Sequence, residues 1–63
     1  MNGQVLMDLV KRIGGEVEPV DDGFIARIPT EPPRTATFFF DIVTANNPLK
    51  VRARLASLGK QLA

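Results

Sequence analysis

The chain has 63 residues, of which 44% are hydrophobic and 24% charged, and its formal net charge is +1. It contains no cysteine, histidine, tyrosine or tryptophan, which excludes disulfides, thiolate or imidazole metal sites and most catalytic bases and nucleophiles. This length holds a single domain, residues 1–63, and the composition is that of a folded protein.

The first predicted element is an amphipathic helix over residues 4–13. Its apolar side chains fall in one stripe at helical spacing, namely Val5, Leu6, Leu9, Val10 and Ile13. Gly14 and Gly15 follow at once, and a glycine just past the last apolar position predicts the helix end.

A β-hairpin is predicted next. Two short segments, residues 16–20 and 24–29, flank the turn Asp21-Asp22-Gly23, and Asp-Gly between such segments is a strong hairpin signal. Pro19 cannot donate a hydrogen bond to a neighbouring strand, so the first strand should be an edge strand or bulged.

A third strand is predicted from residue 35 to residue 43. Alternation assigns one set of side chains to the core face, namely Ala36, Phe38, Phe40 and Ile42, and another to the opposite face, namely Thr35, Thr37, Phe39, Asp41 and Val43. A helix over residues 35–45 is the alternative, since Phe38, Phe39, Ile42 and Val43 are also spaced as on a helix.

The last predicted element is a helix that begins at Pro48, because Asn46-Asn47 offers an N-cap and proline suits the first helical position. Its apolar stripe comprises Val51, Leu55, Leu58 and Leu62. The predicted fold is therefore α+β: a single α-β-β-β-α domain with a three-stranded antiparallel meander and both helices packed on one face.

Catalysis is the function class that this chain supports least. Ser57 has no candidate base near it in sequence, and the adjacent acids Asp21 and Asp22 are typical of a turn. No glycine-rich loop leads into a helix N-terminus. We expect a protein that is not an enzyme and holds no metal or cofactor.

Charge is unevenly distributed along the chain. Five acids and one base lie between Gly14 and Glu31, whereas four bases and no acid lie between Pro48 and Ala63. This polarity could steer a charged partner, or the two segments could neutralise each other within the fold.

The first functional hypothesis is a protein-interaction module, such as an adaptor, a docking domain or a small phage- or plasmid-type inhibitor. Phe39, Asp41 and Val43 should lie on the open face or edge of the third strand, where another protein or a second copy could pair. Alternatively, a loop or the N-terminal residues cover Phe39. A further candidate contact is the acidic hairpin, a solvated turn in its simpler interpretation, which comprises Glu16, Glu18, Asp21 and Asp22.

The second hypothesis is nucleic-acid binding, with phosphates contacted by four C-terminal cations, namely Lys50, Arg52, Arg54 and Lys60. A sequence pI of 8.3 is low for such a protein. The α-β-β-β-α order resembles the double-stranded-RNA-binding domain over nearly the whole chain. That family's second helix opens with a lysine-rich, glycine-preceded segment, whereas this one opens Asn46-Asn47-Pro48-Leu49-Lys50.

The front half of the chain, from Leu6 to Pro29, resembles the small N-terminal docking domains of some multimodular synthetases. The resemblance consists of a short helix, a stop at Gly15 and a hairpin that closes on Arg-Ile-Pro, and it implies a protein partner. No apolar run is long enough to span a bilayer, and the N-terminus lacks a signal-peptide pattern. We therefore expect a cytoplasmic protein with no membrane partner.

Overall fold

The computed structural model describes residues 3–31 and 33–58, so Lys60 and Leu62 lie outside the described residues. The elements in chain order are α1 (Gln4–Arg12), β1 (Glu16–Val20), β2 (Gly23–Pro29), β3 (Thr35–Asp41), α2 (Ile42–Ala45) and α3 (Pro48–Ala56). The strands form one antiparallel sheet in the order β1-β2-β3. The predicted α+β meander is confirmed, with one additional short helix.

α1 ends as its sequence predicts. Gly14 has φ 81°, the left-handed conformation that glycine adopts without a steric penalty. The Gly15 N–H donates to the Val10 carbonyl and the Gly14 N–H donates to the Lys11 carbonyl, the bond pair of a Schellman motif. This stop reverses the chain directly into β1.

The hairpin turn consists of Asp21 and Asp22, and Val20 pairs with Gly23 across it. In the described residues every positive φ belongs to a glycine, and Gly23 is not among them, so the turn does not depend on glycine flexibility. Gly23 is required for space, because a Cβ there would collide with the Phe40 carbonyl oxygen and lie 2.8 Å from Phe39 Cζ. β1 is an edge strand, as Pro19 predicts.

The third strand is shorter than predicted, since it ends at Asp41 and residues 42–45 form α2. The Asp41 carboxylate accepts a hydrogen bond from the Thr44 N–H at 2.7 Å, which caps the new helix. Two predicted positions are consequently wrong: Ile42 is not on the core face of a strand, and Val43 is not on the open face of the sheet. The helical alternative holds only for these last four residues.

The helices and the sheet share one core on one face of the sheet. The strand residues that enter this core alternate along the chain, and the helix residues come from all three helices. The buried set comprises Leu6, Leu9, Val10, Phe24, Ala26, Ile28, Phe40, Ala45, Val51 and Leu55. The helices are thus on one face, as predicted, and the opposite face is hereafter called the open face.

α3 begins at Pro48 with Asn47 as its N-cap, as predicted. The Asn47 Oδ1 accepts hydrogen bonds from the N–H groups of Leu49 and Lys50 at 3.1 and 3.3 Å. Val51 and Leu55 are completely buried, so the apolar stripe of this helix faces the core.

Candidate functional site

The open face carries a row of three side chains across the sheet. Glu18 pairs with Ile25, and Ile25 pairs with Phe39. Phe39 is 51% exposed, so a large aromatic surface remains accessible while its ring lies against Gly23. The structure therefore places Phe39 opposite the core.

A second apolar surface lies where α2 meets α3, and we call it the apolar corner: Ile42, Val43, Pro48 and Leu49. Val43 is 75% exposed and Leu49 is 79% exposed. Together with Asn46 and Asn47, these residues line an open groove of about 640 Å³. Apolar side chains therefore line most of this groove.

The geometry of the corner follows from its two helix starts. The cap at Asp41 begins α2, and Asn46 Nδ2 donates to the Ile42 carbonyl at 2.8 Å, which closes this short helix. Ala45 is the only buried residue of α2, so its bulkier neighbours remain outside. The Asn47 cap then starts α3 with Leu49 in its first turn.

The sequence pattern did not indicate Ile42 and Leu49 as candidate contact residues. A signal for Leu49 existed, because it lies off the stripe formed by Val51 and Leu55 and follows the helix-start proline. No comparable signal marked Ile42, since the strand pattern assigned it to the core.

The Asp41 carboxylate has a structural role, because it caps α2. The hydrogen bond from the Thr44 backbone N–H lowers the pKa of this carboxyl, and the positive charge of Lys50 lowers it further. Its carboxylate is exposed at the end of the sheet, beside the beginning of the apolar corner.

The predicted acidic hairpin does not form one cluster. Glu18 accepts a hydrogen bond from Arg27 Nη2 at 2.7 Å on the open face, and Glu16 lies at the far end of β1. Asp21 and Asp22 are exposed in the turn. Because Gly23 pairs with Asp41, this turn and the start of α2 occupy the same end of the sheet.

The basic residues of α3 are exposed, but they are not equivalent. The Arg54 guanidinium lies over the Phe38 ring, 5.6 Å from its centroid, and the Ser57 hydroxyl donates to the Arg54 carbonyl. Lys50 and Arg54 also line a depression of about 420 Å³ with Thr44, Ala53 and Ser57. Arg52 is exposed elsewhere on the helix.

Residues 3–31 and 33–58 contain no cluster of acidic side chains able to hold a metal ion. No helix in this part of the chain has the length and apolarity to cross a membrane. No protein-family model, curated protein or solved structure matches the chain.

Proposed function

We propose that the chain is a non-enzymatic protein-interaction module, an adaptor, docking domain or small inhibitor, that acts in the cytoplasm by occupying a surface of another protein. One observation carries the proposal. The large hydrophobic side chains that are exposed in the described residues all lie between positions 39 and 49, namely Phe39, Ile42, Val43 and Leu49. Such concentration is typical of a contact surface, because scattered single hydrophobic residues are the ordinary case.

The apolar corner is the main contact in this proposal. Complete burial of a valine or leucine side chain contributes roughly 1.5–3 kcal/mol, and Val43 and Leu49 are each at least 75% exposed in the free chain. A partner that covers both therefore gains free energy that offsets part of the entropy lost on association. Phe39 extends the contact toward the open face.

Charge defines the chemistry of the partner. Asp21, Asp22 and Asp41 lie at the end of the sheet where α2 begins. An apolar side chain that fills the groove, with basic residues beside it, complements this arrangement in both shape and sign. We therefore propose a partner segment that is apolar with flanking lysine or arginine.

Two properties of the chain favour this function over nucleic-acid binding by the cations of α3. Arg54 already contacts the Phe38 ring, and the whole chain carries a net charge of only +1. Nucleic-acid affinity depends chiefly on the number of phosphates that free cations neutralise.

The test is capture of partners from the native host lysate, with and without nuclease, by the parent chain and two variants. Val43→Asp places a charge in the apolar corner. Ala56→Asp places the same charge at the exposed other end of α3 and serves as the matched control.

The proposal requires a protein that the parent and Ala56→Asp retain after nuclease treatment and that Val43→Asp loses. Two results would overturn it. One is capture abolished by nuclease or by Arg52→Ala with Arg54→Ala, and the other is a folded Val43→Asp variant that retains every partner.

A further inference from the structure

The two edges of the sheet differ in the backbone groups that they present. Val20 and Gly23 flank a two-residue turn, which makes them a hydrogen-bonded pair, and such pairs alternate along antiparallel strands. By this alternation, β3 turns the backbone of Ala36, Phe38 and Phe40 toward β2. Thr35, Thr37 and Phe39 turn both their N–H and carbonyl groups away from the sheet. Asp41 offers only its N–H there, because its carbonyl belongs to the N-cap of α2.

The outer edge of β1 is already blocked. The same alternation turns Val17 and Pro19 outward on β1, and proline has no N–H to offer a new strand. β3 has no proline, and within residues 3–31 and 33–58 no strand pairs with its outer edge. Long unblocked edges of this kind template strand addition.

We propose that β3 pairs antiparallel with β3 of a second copy of this chain, which joins two sheets into one of six strands. The two-fold axis passes beside Phe38, so that each Phe38 lies opposite its counterpart. Thr37 then pairs with Phe39 of the second copy, and Thr35 pairs with Asp41 of the second copy. This register pairs the outward N–H and carbonyl groups of Thr37 with those of Phe39 in both copies.

Charge and side-chain pairing select a second copy in antiparallel orientation. Arg34 precedes the strand and Asp41 ends it, so antiparallel pairing brings opposite charges close at both ends, whereas parallel pairing brings like charges close. On the open face, Phe39 of each copy covers Thr37 of the other. The exposed ring thereby gains a neighbour that the single chain does not supply.

This pairing shares Phe39 with the proposed function but uses the strand edge and leaves the apolar corner free, so the two proposals can fail separately. The test compares Thr37→Pro with Thr37→Val by sedimentation over a range of concentrations. Thr37→Pro removes an outward donor as Pro19 does on the other edge, while Thr37→Val retains the complete backbone. The parent and Thr37→Val are expected at twice the 6.9 kDa chain mass, and Thr37→Pro at the single mass.

Hydrogen exchange in the parent tests the pairing even if the Thr37→Pro variant does not fold. The amides of Thr37 and Phe39 should exchange at least tenfold more slowly at high protein concentration, whereas the outward Val17 amide on β1 should not change. A parent that sediments as a monomer at every concentration would overturn the proposal. So would Phe39 amide exchange that is independent of concentration, or a folded Thr37→Pro variant that remains dimeric.

Discussion

The ring of Phe39 lies across Gly23 on the open face, and a Cβ on Gly23 would lie 2.8 Å from Phe39 Cζ. These residues are diagonal neighbours on adjacent strands, since Gly23 pairs with Asp41 and Ile25 pairs with Phe39. An aromatic ring over a glycine covers backbone that would otherwise face solvent. Phe39 therefore supports the end of the hairpin and also presents apolar surface.

The first prediction concerns Gly23→Ala. The added methyl group collides with the Phe40 carbonyl oxygen as well as with the Phe39 ring, and backbone cannot move aside as a side chain can. We expect the free energy of unfolding to fall by about 2 kcal/mol, measured by urea denaturation. Gly14→Ala is the control, because an alanine there has a positive φ but no steric clash. We expect its free energy of unfolding to fall by about 1 kcal/mol. A fully stable Gly23→Ala variant would contradict the close packing.

The second prediction separates the two arginines of α3. Arg54→Ala removes the guanidinium from the Phe38 ring and should reduce the free energy of unfolding by about 0.5–1 kcal/mol. Arg52→Ala removes a charge from the same helix and serves as the control, with little expected change. Repeating both substitutions in a Phe38→Leu background should abolish the difference. Equal effects of the two in the parent would show that helix charge, and not the ring contact, decides stability.

The third prediction concerns pH. The pKa of Asp41 lies below its ordinary value of 3.8, because the Thr44 N–H donates to the carboxylate. Folding therefore favours the ionised form, so the resulting stability is fully present above the ordinary pKa and disappears as pH falls through the lowered pKa. Asp41→Asn retains a capping oxygen without the titration.

An NMR titration of the carboxyl groups measures the Asp41 pKa directly, and unfolding at several pH values compares the parent with Asp41→Asn. The advantage of the parent over the variant should decline only in the acid range. An Asp41 pKa at or above 3.8 would contradict the cap.

The fourth prediction tests the start of α3. Asn47→Ala removes the oxygen that accepts from the Leu49 and Lys50 N–H groups, and we expect a loss of about 1 kcal/mol in the free energy of unfolding. Asn47→Asp keeps the acceptor and should remain within about 0.5 kcal/mol of the parent. Thermal unfolding followed by circular dichroism measures both, and equal losses in the two variants would argue against the cap.

Local sequence signals predicted most of the fold because each depends on short-range physics. The glycine stop at Gly14 and the Asn47-Pro48 start lie where the sequence indicates. The hairpin turn lies within the predicted segment Asp21-Asp22-Gly23, although Gly23 already belongs to β2. The alternation of side chains along β3 correctly placed Phe39 on the open face and Phe40 in the core. These signals require only neighbouring residues.

The change from strand to helix at Asp41 could not be predicted from neighbouring residues. Ile42 and Val43 continue the predicted strand pattern, and the interaction that competes with it is the hydrogen bond from the Thr44 N–H to Asp41. Formation of α2 in place of a longer strand depends on burial of Ala45 against the other elements. Such packing is tertiary and cannot be predicted from neighbouring residues. The apolar corner depends on this change, so the sequence alone placed Val43 on the wrong surface and missed Ile42.

The most direct measurement of the central claim is photocrosslinking in the native host, with a photoreactive phenylalanine analogue at Val43 in one variant and at Arg52 in another. We expect the Val43 position to form an adduct with a protein, unaffected by nuclease, and the Arg52 position to form little. An adduct with nucleic acid, or a protein adduct formed from Arg52 and not from Val43, would contradict a module that binds its partner through the apolar corner.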